Sequence, residues 1–281
     1  MRELAIDSYG KINLALDVLY KRPDNYHEII SVMQQISLKD NLIFAEIDSG
    51  IVIESDNKEL PVDSSNLVYK AWEKMKSITG INRGIHVKIE KNIPIAAGLA
   101  GGSSNGAATL EALNYLWELN YTKEDLMKIG LSLGADVPFC ILGGTAKAEG
   151  IGEVLTTLKP FKNKYILLGN PGICISTAYA YSKISLSGNR YDIDGLINCM
   201  EKDDITCVAK KMSSKMETAI ISENPIIDEI KRIMIANGAL GALMSGSGPT
   251  VFGLFDDSDK MNNAYNVLIR MIDKVYKCTT I

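Results

Sequence analysis

Residues 94 to 104 read Pro94-Ile95-Ala96-Ala97-Gly98-Leu99-Ala100-Gly101-Gly102-Ser103-Ser104, between a strand-like run and a helix-like one. Glycines let backbone N–H groups approach an anion closely. The helix that follows points its positive end at the same place, and Ser103 and Ser104 add hydroxyl donors. In physical terms this is a phosphate cradle, expected at the surface with Gly101 against the anion. No Gly-Lys-Ser/Thr follows the glycines, so it is not a Walker loop, nor does it fit the dinucleotide pattern. A flexible glycine connector has the same composition, and composition alone weighs the two evenly.

A second stretch of this kind, Ser245-Gly246-Ser247-Gly248-Pro249, lies between two apolar runs. Alone it reads as a tight turn. Paired with the first loop it suggests two domains closing on one anionic ligand, because clefts between domains favour small-molecule sites. Asp136, in Gly134-Ala135-Asp136-Val137-Pro138, is a turn or cap residue by default. Its chemical alternative is the carboxylate that orients and deprotonates an attacking hydroxyl in phosphoryl transfer. Lys11 is either a solvated charge or a cation that neutralises phosphate and lowers the hydroxyl pKa. His27 reads as a solvated loop histidine and His86 as a surface residue of a strand.

The elements that must position these groups follow from periodicity. From Lys11 to Leu19 apolar residues alternate (Ile12, Leu14, Leu16, Val18), a half-buried strand with Lys11, Asn13 and Asp17 on its other face. Strands are expected near 28–37, 41–46, 51–55 and 85–90. A helix is expected over 66–78 with Gly80 as its stop, with Trp72 and Met75 as core. Another is expected over 103–117, with Trp117 likewise in the core. Thr122 and Asp125 make a capping box for a helix ending near Gly134. Beyond residue 162 the order is a strand over 165–168, helical stretches from 177 to 236 with a fresh start at Asn224-Pro225, strands over 239–244 and 250–255, a helix over 257–271 and a last strand. Interleaving without regular βαβ repetition gives the α+β class. The second part reduces to β-α-β-β-α-β with extra helices, the ferredoxin-like order. We expect two domains, 1–160 and 161–281.

The whole chain bounds what this can be. Its 281 residues suit two modest domains sharing a cleft. The net charge of -4 gives no general attraction to nucleic acid or an anionic membrane. Five scattered cysteines and two histidines argue against a disulfide framework, a zinc site or a histidine-rich metal cluster. The start carries charge and lacks a signal-peptide apolar run, and no stretch approaches the roughly 20 apolar residues that span a bilayer. A cytoplasmic location is expected. Ser8-x-x-Lys11 and Ser55-Asp56-Asn57 mimic elements of serine β-lactamases, but Lys-Thr-Gly is absent and Ser8 lies in a strand-like region. The acyl-transfer reading fails.

Taken in order, Lys11-Ile-Asn-Leu14, Tyr26-His27-Glu28, Pro94–Ser104, Gly134-Ala-Asp-Val-Pro138 and Ser245-Gly-Ser-Gly-Pro-Thr250 resemble the signature of the GHMP kinases over about residues 8 to 255. The resemblance implies an N-terminal ATP-binding domain like domain 2 of ribosomal protein S5 and a ferredoxin-like C-terminal domain. It implies transfer of the ATP γ-phosphate to a small-molecule alcohol, with Mg²⁺. The Gly98–Asn105 form of the loop and Lys21–His27 favour a cytidine diphosphate-linked methylerythritol, accepting at its 2-hydroxyl, over homoserine or mevalonate. By the same resemblance Lys11 and Asp136 are the catalytic pair and Pro94–Ser104 hold the triphosphate. Asn66, Leu67 and Lys91 line the adenine pocket. Asn13, Tyr26, His27, Thr177 and Tyr181 hold the cytidine-bearing substrate, Thr177 capping a short helix and Tyr181 stacking on the base. No side chain is assigned to the metal, and no nucleic-acid, membrane or obligate protein partner is implied.

The chain departs from the family pattern in two places. Tyr9-Gly10 precede the lysine where the family commonly has Pro-Ala, and Gly106 replaces a usual alanine, lowering helix propensity by about 1 kcal/mol. Two rivals remain: another GHMP-type alcohol kinase, and an RNA-binding module built on the ribosomal-protein-like first domain. The sequence pI of about 5.4 and only five phenylalanines argue against the second, which needs a basic face and stacking aromatics.

Overall fold

The computed structural model describes residues 2–187 and 190–281. In chain order the elements are β1 (Glu3–Lys21), β2 (His27–Ile47), β3 (Ile51–Ser55), α1 (Leu67–Thr79), β4 (Gly84–Glu90), α2 (Gly101–Leu116), α3 (Lys123–Leu131), α4 (Val137–Leu142), β5 (Thr145–Gly150), β6 (Val154–Thr157) and β7 (Tyr165–Asn170). After these come α5 (Thr177–Ser182), α6 (Ile193–Glu201), α7 (Ile205–Lys211), β8 (Ser213–Ser214), α8 (Lys215–Ile220), α9 (Pro225–Ala236), β9 (Gly241–Met244), β10 (Val251–Phe255), α10 (Ser258–Leu268) and β11 (Lys274–Thr279). The mixed α+β content agrees with the sequence. No helix among the described residues is long and apolar enough to cross a membrane.

The chain forms two compact units that interleave along the sequence: 1–10, 39–95 and 100–143 in the first, 11–38, 96–99 and 144–281 in the second. Both β1 and β2 pass from one unit into the other.

In the first unit, Asn41–Ile47 of β2 runs antiparallel to β4, and β4 runs parallel to β3. Parallel neighbours need a crossover, and α1 supplies it. Asn66 caps α1 by accepting from the Val68 N–H at 2.9 Å, and left-handed Gly80 ends it. The expected capping box at Thr122 and Asp125 is present. Apolar faces of α1, α2, α3 and α4 close over the sheet in one core that includes Phe44, Val87, Met75, Trp72, Leu113 and Trp117.

The second unit contributes strands to two sheets. In one, β5 pairs antiparallel with Ile29–Gln34 of β2 and with β6, while Ala15 and Leu16 of β1 pair parallel with β8. Strands β5 and β6 were not anticipated, because their short runs are interrupted by Lys147, Glu149 and Gly152. In the other, antiparallel strands stand in the order β11-β7-β10-β9. That is the first, second, third and fourth strands of a β-α-β-β-α-β unit in the spatial order 4-1-3-2. Residues of α9 and α10, among them Ile230, Met234 and Leu268, share one core with Leu167, Val251 and Phe255 of the sheet.

Three expectations need correction. First, β1 is not half-buried: Lys11, Asn13 and Asp17 are as enclosed as the apolar residues between them. Second, 28–37 and 41–46 are one continuous strand, because nothing in Leu38-Lys39-Asp40 breaks extended backbone. Third, the structure joins Cys199 and Cys207 in a disulfide, at a Cα–Cα distance of 5.6 Å. The turn between α6 and α7 brings them together, which scattered spacing in sequence hides.

Candidate functional site

The glycine-rich loop is built by backbone handedness. Ala96, Gly98 and Ala100 have φ of 52°, 75° and 57°, while Ala97 and Leu99 between them stay at negative φ. Such alternation curls the backbone, a geometry in which successive N–H groups can converge on an anion. Ala100 is the N-cap of α2 and offers no side-chain cap, so the helix's first N–H groups stay available. The loop is less exposed than expected: Ala97, Leu99 and Gly101 are buried, and Gly102 is exposed. Gly101 also differs from its expected role. A Cβ there would meet Ile93 Cγ2 at 2.9 Å and Lys91 Nζ at 3.0 Å, so close packing demands glycine at this position.

Four of the loop residues, Ala96–Leu99, belong to the second unit and dock on its other glycine-rich turn. Ser245 Oγ donates to the Gly98 carbonyl at 2.9 Å, and a Cβ on Gly98 would lie 2.2 Å from the Ser245 carbonyl oxygen. The Ser245–Pro249 stretch is the turn between β9 and β10, closed by Gly248 N–H to Ser245 O and Ser245 N–H to Thr250 O, each 2.9 Å. The Lys11 N–H donates to the Leu99 carbonyl at 3.0 Å, so β1 borders the same loop.

Lys11 itself is buried, which removes its reading as a solvated charge. Its ammonium donates to Asn13 Oδ1 at 2.7 Å. Farther along this unit, His27 opens β2 and stacks on Tyr181, ring centroids 4.8 Å apart and planes 15° from parallel. Burial and, secondarily, the charge of Lys21 push the His27 pKa below its usual value. Tyr181 also packs against the unit's core, as its helix-aromatic reading expects. Thr177 is the first residue of α5 and not its cap; Ser176 accepts from the Tyr179 N–H. That leaves the Thr177 hydroxyl to reach Ser247 Oγ at 3.1 Å. Tyr26 is exposed, its backbone held by Asp24 and Arg22.

In the first unit, Asn66 spends both polar ends internally: Oδ1 caps α1 and Nδ2 donates to Pro61 O at 2.6 Å. Leu67 lies against the small-residue face of α2, where a Cβ on Gly106 would come within 3.3 Å of its own Cβ. Gly106 thereby trades helix propensity for close approach of α1 and α2. Lys91 is buried and paired with Asp40, Nζ to Oδ2 2.5 Å, and donates also to Ile93 O. The other Asp40 oxygen accepts the N–H groups of Asn92 and Ile93 at 2.8 and 2.7 Å. Burial lowers the Lys91 pKa, with Asp40 opposing the shift. Sequence reasoning missed Asp40; the available signal was an acid inside an otherwise uninterrupted strand.

Ser103 and Ser104 part company. Ser104 is buried, its hydroxyl donating to the Tyr9 carbonyl at 2.7 Å and its N–H to Ala100 O. It ties α2 to β1, as does Asn105, which accepts from Ser8 Oγ at 2.8 Å. The expectation of a Ser104 hydroxyl aimed at phosphate is corrected accordingly; Ser103 remains half-buried at the first turn. Asp136 stands at the N-cap position of α4, yet its side chain makes no capping hydrogen bond. A capping role therefore does not account for it. The turn leading into it borders the loop, since a Cβ on Gly134 would lie 3.9 Å from Ser103 Oγ.

Comparison with known proteins bears on these parts. The GHMP kinases N terminal domain matches residues 66–144 and the GHMP kinases C terminal domain matches 196–274. A 4-diphosphocytidyl-2-C-methyl-D-erythritol kinase of Alkaliphilus oremlandii is 46% identical over 284 residues, covering 100% of this chain and 97% of the relative. Among solved structures, a 4-(cytidine 5'-diphospho)-2C-methyl-D-erythritol kinase superposes with a TM-score of 0.85 at 29% identity, covering 99% of both chains. Homoserine kinase from Cytophaga hutchinsonii shares the fold at a TM-score of 0.81 and 20% identity, over 100% of this chain and 95% of its own. With loop, turn and helix starts built as described and both terminal regions matched, this chain belongs to the GHMP kinases.

Proposed function

We propose that this kinase phosphorylates the 2-hydroxyl of 4-diphosphocytidyl-2-C-methyl-D-erythritol, using ATP. The observation that carries the reading is the end-to-end 46% identity to a relative of that name. The His27–Tyr181 stack supports it, since the outer face of such a stack is a platform on which a pyrimidine base can lie. Residues 1–160 would form the ATP-binding domain, like domain 2 of ribosomal protein S5, and 161–281 the ferredoxin-like domain. The 4-1-3-2 strand order supports the second assignment.

Phosphoryl transfer leaves the protein little covalent chemistry; it must position reactants and stabilise charge. The N–H groups of Gly98–Gly102, with the Ser103 hydroxyl, would hold the triphosphate. Asn66, Leu67 and Lys91 would border the adenine, Lys91 and Asn66 by fixing backbone. Asp136 would accept the proton of the attacking hydroxyl, and Lys11 would stabilise the negative charge that develops on the transferring group. Asn13, Tyr26, His27, Thr177 and Tyr181 would hold the cytidine-bearing alcohol.

Among the described residues no three His, Cys, Asp or Glu side chains gather as a metal site. Mg²⁺ keeps water and phosphate ligands and takes one or two protein oxygens at most, so it would need no such cluster. Ser103 and Asp136 are the oxygen donors at the loop that could serve it. Bound with the nucleotide, Mg²⁺ would supply neutralisation of the triphosphate charge. A cytoplasmic location belongs to the same reading.

ADP release measured with the cytidine-linked alcohol, homoserine and mevalonate tests the proposal. Turnover confined to the first supports it. Equal turnover of homoserine or mevalonate overturns it.

A further inference from the structure

Three buried polar side chains of the second unit form a continuous run of hydrogen bonds, in which the reading above gives Ser31 no role. Lys11 Nζ donates to Asn13 Oδ1 at 2.7 Å, Asn13 Nδ2 donates to Ser31 Oγ at 2.8 Å, and Ser31 Oγ donates to the Ala15 carbonyl at 2.6 Å. All are enclosed, Lys11 at 4%, Asn13 at 1% and Ser31 at 0% exposure. Lys11, Asn13 and Ala15 are alternate residues on one face of β1, and Ser31 reaches them from β2, where it pairs with Ala148 of β5.

The direction of every link is dictated by chemistry. An ammonium can only donate, so Asn13 must turn its carbonyl oxygen to Lys11. Its NH₂ then faces Ser31 and can only donate, so the Ser31 oxygen must accept. The Ser31 proton must therefore go elsewhere, and the Ala15 carbonyl takes it. Without a hydroxyl at position 31, the Asn13 NH₂ and the Ala15 carbonyl both lose this partner in a dry interior, where unmade bonds are costly. The amide then loses its second anchor and can swing about its Cβ–Cγ bond, carrying its oxygen away from the Lys11 ammonium.

We infer that Ser31 is a positioning residue for the phosphoryl transfer: it locks the Asn13 amide, and through it the Lys11 ammonium. The inference rests on the proposed role of Lys11. A hydroxyl in the middle of the Ile29–Val32 run is the mark it leaves in the sequence.

The experiment compares Ser31→Ala, Asn13→Ala and the double variant for kcat and both KM values, with thermal melts of each. Ser31→Ala is expected to lower kcat about 10-fold with the KM for ATP within about twofold. In the Asn13→Ala background, Ser31→Ala should have almost no further effect, because the relay is already broken. Ser31→Cys, which keeps a weak donor and acceptor, should fall between wild type and Ser31→Ala. Wild-type kcat in Ser31→Ala, or losses that multiply in the double variant, would overturn the relay and leave Ser31 a packing residue. A readout independent of turnover is the exchange of the Asn13 side-chain amide protons by NMR. Slow exchange in wild type that quickens in Ser31→Ala supports the lock; equal exchange overturns it. An inactive wild type with slow exchange would keep the lock as geometry and overturn its role in catalysis, together with the reading of Lys11.

Discussion

The imidazole of His27 lies on the phenol ring of Tyr181, centroids 4.8 Å apart and planes 15° from parallel. The two residues are 154 positions apart in sequence, one opening β2 and the other in α5. Base stacking on an aromatic face contributes about 1–3 kcal/mol. Tyr181→Ala should raise KM for the cytidine substrate roughly 5- to 150-fold while KM for ATP stays put. Tyr181→Phe keeps the ring and should be nearly silent. Equal weakening of both substrates, or unfolding, would return Tyr181 to the core alone.

His27 should titrate below 6.5, because burial and Lys21 disfavour its charged form. A histidine pKa depressed by folding means the unfolded chain binds more protons. The associated stability is therefore present above the unfolded pKa and lost as pH falls through the folded one. Only two histidines exist, so NMR resolves them readily. Charging the ring also turns its acceptor nitrogen into a donor, and affinity for the cytidine substrate should change over the same pH window. A midpoint at or above 6.5 would contradict this.

Gly98 combines φ of 75° with a carbonyl oxygen 2.2 Å from where a Cβ would stand. Gly98→Ala forces the loop off the Ser245 turn, at a cost of about 1–3 kcal/mol for the backbone conformation before the clash is counted. We expect a sharp loss of ATP affinity by calorimetry and a modest fall in Tm. Gly101→Val should act differently, by displacing Lys91 and Ile93, and should lower Tm more. Unchanged ATP affinity in Gly98→Ala would remove the loop from the nucleotide site.

Asp136→Asn tests the proposed base. Loss of a carboxylate that both orients and deprotonates should lower kcat roughly 100- to 10,000-fold, about 3–5 kcal/mol of barrier. ATP affinity should hold. Near-normal kcat would make Asp136 a residue of the turn before α4.

Asp40→Ala leaves the Lys91 ammonium buried without its carboxylate and frees two backbone N–H groups. Breaking a buried pair on one side costs about 3–5 kcal/mol. Burial already holds the Lys91 pKa down, and without Asp40 only the weaker pull of Asp56 opposes it. Since the folded variant then binds fewer protons than the unfolded chain at alkaline pH, its deficit in stability should narrow as pH rises toward 10. Melting curves at pH 7 and 10 measure this, and a deficit constant with pH would exclude the buried cation as its source.

Much of this protein is determined by neighbours in sequence. Alternation from Lys11 to Leu19 made β1; Asn66 and Gly80 delimited α1; Thr122 with Asp125 and Asn224 with Pro225 started helices where expected. The curled loop at Ala96–Ala100 was visible as glycine and alanine before a helix. These features rest on torsional preference and on hydrogen bonds within about four residues, which a chain carries with it before it folds. What lies on the far side of each element is another matter. Alternation exposed the face of β1 bearing Lys11, Asn13 and Asp17, and only the packing of distant segments buried it. Lys91 finds Asp40 51 positions back, Gly98 meets Ser245 147 positions on, and Asn13 is locked by Ser31 from the adjoining strand. The Ser104 hydroxyl is taken up by Tyr9 for the same reason. A buried donor accepts whichever partner the fold brings within 3 Å, and that partner is chosen by sheet register and helix docking, not by local sequence.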